Sequence, residues 1–245
     1  MLTPWVCWNA TGDSVSNEII SSPGKCVSGT SNSQDWPQIS ISAAYIKFTY
    51  DEIQNNNTDI CFNIVGSNAI SNVIDHNTIN NCGPLVTGAW NPVNEDPGWH
   101  DHGVYDYGVN TVITNNYIYG NSRNGILEYP SGSGAIIEHN IIDDNGNGIT
   151  LGGNTNVTIE NNIISNSGQL DFSVDGSYAG INNLLENNCI GGNLSGDINP
   201  NTDSNVEQKN NLLGVNPMYT NAATHNYKLL SSSKCIGDGP DTAQP

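Results

Sequence analysis

Basic side chains are scarce in this 245-residue chain: Lys25, Lys47, Arg123, Lys209, Lys228 and Lys234 stand against 24 acidic residues, a formal charge of -18. A surface so poor in cations has little with which to neutralise phosphates, which argues against nucleic acid and anionic membranes as partners. Gly and Asn take the place of helix formers, and no amphipathic pattern lasts beyond about three turns, so a helical fold is not expected. No CxxC pair occurs among the six cysteines, which makes a zinc ribbon a poor reading. Their even number points instead to disulfides, with Cys7 and Cys26 as the local pairing. The opening MLTPWVCWNATGD lacks the basic and apolar segments of a leader peptide. The cysteine usage still leads us to expect a secreted, extracellular protein, monomeric and not inserted in a membrane.

What is present is repetition. Residues 103–169 write one phrase three times, as GVYDYGVNTVITNNYIYGNSRN, GILEYPSGSGAIIEHNIIDDNGN and GITLGGNTNVTIENNIISNSGQ, in copies of 22, 23 and 22 residues. Short β-branched runs separated by Gly and Asn at that period are too brief for a helical hairpin array and suit one coil of a solenoid. We therefore read an all-β fold, a single-stranded right-handed parallel β-helix with coils of about 22 residues. Asn77, Asn116, Asn140, Asn162 and Asn188 set the register. Each precedes an aliphatic residue by two places (Ile79, Ile118, Ile142, Ile164, Ile190) and follows another by three (Ile74, Ile113, Ile137, Ile159, Leu185). These positions face inward, where stacked Asn amides hydrogen-bond from coil to coil, and Asn at that point also suits a left-handed bend. Residues 1–35 are read as an N-terminal cap or early coil, 36–204 as the β-helix, and 205–245 as a closing segment and tail.

One coil breaks the spacing. Asn77 and Asn116 lie 39 residues apart, so roughly sixteen extra residues project as a loop over 83–102, GPLVTGAWNPVNEDPGWHDH. The loop concentrates Trp90, Glu95, Asp96, Trp99, His100, Asp101 and His102. Two imidazoles flanking a carboxylate offer a general base, an orienting partner or part of a metal site, or else a cap on the turn. After the loop, Val104, Ile126, Ile149 and Leu170 are read as inward. Cys61, Tyr105, Leu127, Thr150 and Asp171 then form one outward column, and Asn63, Tyr107, Tyr129, Gly152 and Ser173 a second. Aromatic faces beside carboxylates and amides suit a sugar ring, although the tyrosines could equally fill a corner. Asp106 and Glu128 fall on the inward side of adjacent strands. There they need a partner, for which Arg123 is the candidate, unless the strand twists out and exposes them as an acid-base pair. A further acidic column, Asp75, Glu138, Glu160 and Glu186 with Thr114 between, reads as solvated surface or a weak cation site.

Several phrases together resemble secreted bacterial right-handed parallel β-helix proteins of the pectate-lyase-like superfamily. They are DEIQNNNTDICF (51–62), NNCG (80–83), HDHGVY (100–105), NGILEYP (124–130), the Asn-Gly-Asn-Gly turn at 145–148 and ENNC (186–189). NYKLLSSSKCIGDG is similar to the closing motif of that group, with Lys234 where Pro is usual, and Asp106 and Glu128 stand where its pattern has aliphatics. The resemblance implies the fold and leaves activity open, since lyases, hydrolases, epimerases and proteins without a known reaction share it. The leading expectation is a carbohydrate-active enzyme acting on a polysaccharide or oligosaccharide at the corner beside the loop. His100, Asp101, His102, Tyr105, Asp106 and Glu128 are its candidate catalytic residues, and Trp90, Trp99, Tyr107, Arg123, Tyr129 and Asp171 its substrate contacts. Substituting His100, Asp101, His102 or Tyr105 at that corner is expected to leave stability nearly intact while removing function. A lyase or epimerase needs a cation for its enolate-like intermediate, for which Ca²⁺ is the one cofactor considered, whereas a hydrolase of neutral polymer needs two carboxylates. The alternative is a non-catalytic glycan-binding or structural cell-surface β-helix.

Overall fold

The computed structural model describes residues 39–54, 60–83, 101–175, 180–192, 198 and 206–240, and the backbone of the strands Val6–Trp8, Ser14–Ser16 and Ile19–Ile20. The chain winds as a right-handed parallel β-helix with coils of about 24 residues. Among the described residues it forms three parallel sheets of seven, eight and eight strands. The first sheet includes Ile39–Ile41, Phe62–Ile64, Val104–Asp106, Asn124–Glu128, Asn147–Leu151 and Phe172–Val174. The three N-terminal strands each pair in parallel with the strand one coil on, so every sheet extends into residues 6–20.

Strands are short because a coil turns three corners. Most present one inward β-branched residue and then bend at a residue held in the left-handed region. His76, Asn115, His139, Asn161 and Asn187 make that bend after the second sheet, with φ between 54° and 57°. Asn tolerates this conformation better than most residues. The sequence reading assigned the bend to the ladder asparagines; it falls one residue earlier, which leaves the ladder side chains free to point inward.

The interior columns match the reading. Phe48, Ile74, Ile113, Ile137, Ile159 and Leu185 stack from the second sheet, and Ile53, Ile79, Ile118, Ile142, Ile164 and Ile190 from the third, all fully buried. Between these columns runs the Asn ladder, with steps of 39, 24, 22 and 26 residues. The Asn140 Oδ1 accepts from the Asn116 backbone N–H at 2.9 Å and from its Nδ2 at 3.0 Å, while Asn140 Nδ2 donates to the Ile113 carbonyl at 2.8 Å. A second, shorter ladder, Asn121 on Asn145, follows the third sheet and was not anticipated.

Among the described residues two disulfides tie this frame, Cys61–Cys82 and Cys189–Cys235, and no cysteine is free. The predicted Cys7–Cys26 pairing lies outside the described residues. Strands Tyr219–Asn221 and Asn226–Leu229 form an antiparallel hairpin. Tyr219 and Tyr227 pack on Tyr117, Ile141, Ile163 and Cys189, so the segment covers the outer face of the third sheet. No helix among the described residues is long and apolar enough to cross a membrane.

Candidate functional site

The outer face of the first sheet meets the inserted loop at Asp101 and His102, so the register of that sheet decides what the corner displays. Val104 pairs with Ile126 and Phe62, and Ile149 pairs with Phe172. The first outward column is therefore Asn63, Tyr105, Leu127, Thr150 and Ser173. Backbone bonds from Tyr107 to Ile64, Tyr129 to Asp106, Gly152 to Glu128 and Asp175 to Leu151 make the second column Val65, Tyr107, Tyr129, Gly152 and Asp175. The central assignments stand, but both ends of the read columns are displaced by two residues. Phe172, not Leu170, takes the inward place, and Cys61 and Asp171 align with the glycines Gly103, Gly125 and Gly148. Asp171 is consequently buried, its Oδ1 accepting the Ser167 N–H at 3.1 Å, and is not displayed on the outer face.

Three tyrosines gather on this face. Tyr105 and Leu127 are only 6% and 8% exposed, and with Ile60 they form a small apolar cluster flanked by the half-buried Tyr107 and Tyr129. The Tyr105 and Tyr107 hydroxyls are hydrogen-bonded at 2.6 Å. Tyr107 and Tyr129 lie one coil apart with ring centroids 5.0 Å apart, tilted by 58° rather than stacked flat. Burial, then the bond to Tyr107, pushes the Tyr105 phenol well above its ordinary range, while the nearby Arg123 charge pulls the other way. Coils beyond the tyrosines continue the face with polar groups. Thr150 Oγ1 bonds to Ser173 Oγ at 2.8 Å and donates to Asn124 Oδ1 at 3.1 Å.

His102 is fully buried and stacks on Tyr105, with centroids 5.2 Å apart and planes 11° apart. Its Nδ1 accepts the Asn124 backbone N–H at 3.2 Å. That bond engages the lone pair of Nδ1 and assigns the ring proton to Nε2, so the imidazole, as placed, is a donor rather than a base. Removing the ring would leave the Asn124 N–H buried without this acceptor, a loss of about 1–3 kcal/mol. Asp101 is half-buried at the mouth of the loop; its side chain packs where a Cβ on Gly83 would lie, and its carbonyl accepts the Arg123 N–H at 2.9 Å. Trp90, Trp99 and His100 lie outside the described residues.

Asp106 and Glu128 are both fully buried, paired in register on adjacent strands in a column that is aliphatic on either side, Ile64 before and Leu151 after. Burial raises the Asp106 carboxyl to about 6, opposed by the Gly108 N–H at 2.6 Å and by Thr111 and Glu128. Burial first, and then the Asp106 charge, pushes Glu128 well above the usual carboxylate range. Burial and mutual repulsion thus both favour the protonated form of this pair over two carboxylates side by side. Arg123, read as their neutralising partner, is not among the groups that shift either carboxyl, and its charge is felt at Tyr105. General acid or base catalysis requires hydrogen-bond reach to the substrate, and a pair sealed in the core does not offer that to a sugar on the outer face. The strand does not twist out, so the surface acid-base alternative is not what the structure has.

Leu127, Asn124, Thr150 and Ser173 belong to the face without having been named as site residues. Their signal was the repeat register itself: Leu127 follows Tyr105 by one coil, and Thr150 and Ser173 carry the same column one and two coils further. The outer acidic column is in register as read, Asp75, Thr114, Glu138, Glu160 and Glu186. Among the described residues no three His, Cys, Asp or Glu side chains are grouped to hold a metal ion. Residues 72–228, more than half of the chain, match the family described as right handed beta helix region. No curated protein matches the chain.

Proposed function

From the premise that this chain belongs to the right-handed β-helix family, we propose that it is a secreted, monomeric protein that binds a polysaccharide along the outer face of its first sheet, beside the corner made by residues 83–102. Family membership supplies the scaffold and not the activity. The observation that carries the reading is the tyrosine group, Tyr105, Tyr107 and Tyr129, continued by the hydroxyls of Thr150 and Ser173. An aromatic ring takes the C–H face of a sugar while hydroxyls and amides one coil on exchange hydrogen bonds with its rim. The two disulfides fit an oxidising, extracellular setting.

Binding is favoured over turnover because the two best chemical groups are committed elsewhere. His102 has its acceptor nitrogen engaged, and the Asp106–Glu128 pair is walled off from the face. Turnover is the second reading, supported by Asp101 at the loop mouth and by the Tyr105 hydroxyl on the same strand entry. Purified protein incubated with a panel of polysaccharides distinguishes the two. Retention on a polymer without new reducing ends or unsaturated products is the expected result; release of such products would establish an enzyme, and neither retention nor release would remove the polysaccharide reading.

A further inference from the structure

We infer that the glycan this face takes is a neutral one, free of uronic acids; the inference rests on the polysaccharide-binding reading and narrows it. A polymer of uronates brings about one carboxylate with every sugar ring, and holding several rings in a row requires cations spaced along the track. Among the described residues, the placement of the basic side chains does not provide them. Lys47 lies on the second sheet, 3.6 Å from Asp75, and Lys209 on the same sheet, 3.0 Å from Glu207. Lys228 belongs to the hairpin strand Asn226–Leu229, which goes with the third sheet, and Lys234 follows it. Among the described residues, Arg123 is the one basic side chain adjoining the first sheet, immediately before Asn124–Glu128.

The described surroundings of the track are acidic: Asp101 stands at its edge, half-buried, and the whole chain carries -18. Asp175 ends the second outward column, exposed. Charges within roughly 8–10 Å are not screened at physiological ionic strength, so an approaching polyuronate meets repulsion that one guanidinium does not offset. The groups that the face does offer, phenol rings, two hydroxyls and amides, are uncharged donors, acceptors and apolar planes, which suit hydroxyls and C–H faces alone.

The test is affinity electrophoresis or pull-down of the full chain with soluble β-glucan and galactomannan against polygalacturonate and alginate, each at low and high salt, with and without Ca²⁺. At least tenfold tighter binding to one of the neutral polymers is expected, changing less than twofold with salt. Tyr129→Ala and Tyr107→Ala, each checked for an unchanged melting temperature, should each weaken it at least tenfold. Equal or tighter binding of a polyuronate, with or without Ca²⁺, overturns the inference while leaving the polysaccharide-binding reading in place. Binding of neither class removes that reading and the inference with it.

Discussion

Glu128 lies between Asp106 and Leu151 in an otherwise aliphatic column, and burial pushes its carboxyl well above the usual range. Both Asp106 and Glu128 bind protons more tightly in the fold than in the unfolded chain. Their contribution to stability is therefore fully present below about pH 4, and it declines as pH rises through about 6 for Asp106 and higher for Glu128. Asp143, Asp144 and Asp238 are raised as well, so the whole protein should be more stable in mild acid than in mild base. Glu128→Gln isolates the pair, because the amide keeps a donor toward Asp106 without an ionisable proton. It should match the wild type near pH 4 and be the more stable protein near pH 8, by about 1 kcal/mol or more, which is a shift of about 2–4 °C in a domain of this size. Thermal melts across that range check it, and a gap that is constant or reversed would mean that the pair is ionised in the fold.

At the scale of the coil, the C-terminal hairpin is held to the third sheet by tyrosine packing and by a disulfide. Cys235 joins it to Cys189 in the third sheet, closing a separation of 46 residues. Cys235→Ser should cost about 2–4 kcal/mol and speed amide exchange over 206–240 while leaving 104–165 unchanged. Unaltered exchange in the hairpin would show that the tyrosine packing holds it alone. This docking was not legible in the sequence, where the segment reads simply as a closing strand, because nothing local says that Tyr219 and Tyr227 face Tyr117 and Ile163. The inward Ile and Asn columns were legible, since each inward place has its own residue type and recurs coil after coil. Register at the ends of the first sheet was not. Leu170 and Phe172 are both apolar and two apart, and alternation of period two cannot separate a slip of two residues. The inward burial of Asp106 followed from alternation alone, whereas the capture of His102 by the Asn124 N–H depends on a contact between coils that spacing does not reveal.

The whole molecule presents three kinds of outer face. The second sheet carries the acidic column, the third is covered by the hairpin, and the first displays tyrosines and neutral polar groups. The central claim is that a glycan lies on the first of these. Oxidative footprinting of tyrosines, with and without the polymer that the protein retains, addresses it most directly. Tyr45 and Tyr50 bracket the second-sheet strand Lys47–Thr49 and are 61% and 57% exposed, so they serve as internal references. Tyr107 and Tyr129 should lose most of their reactivity when polymer is bound, while Tyr45 and Tyr50 keep theirs. Protection of Tyr45 and Tyr50, with Tyr107 and Tyr129 unchanged, would place the glycan on another face and contradict the account.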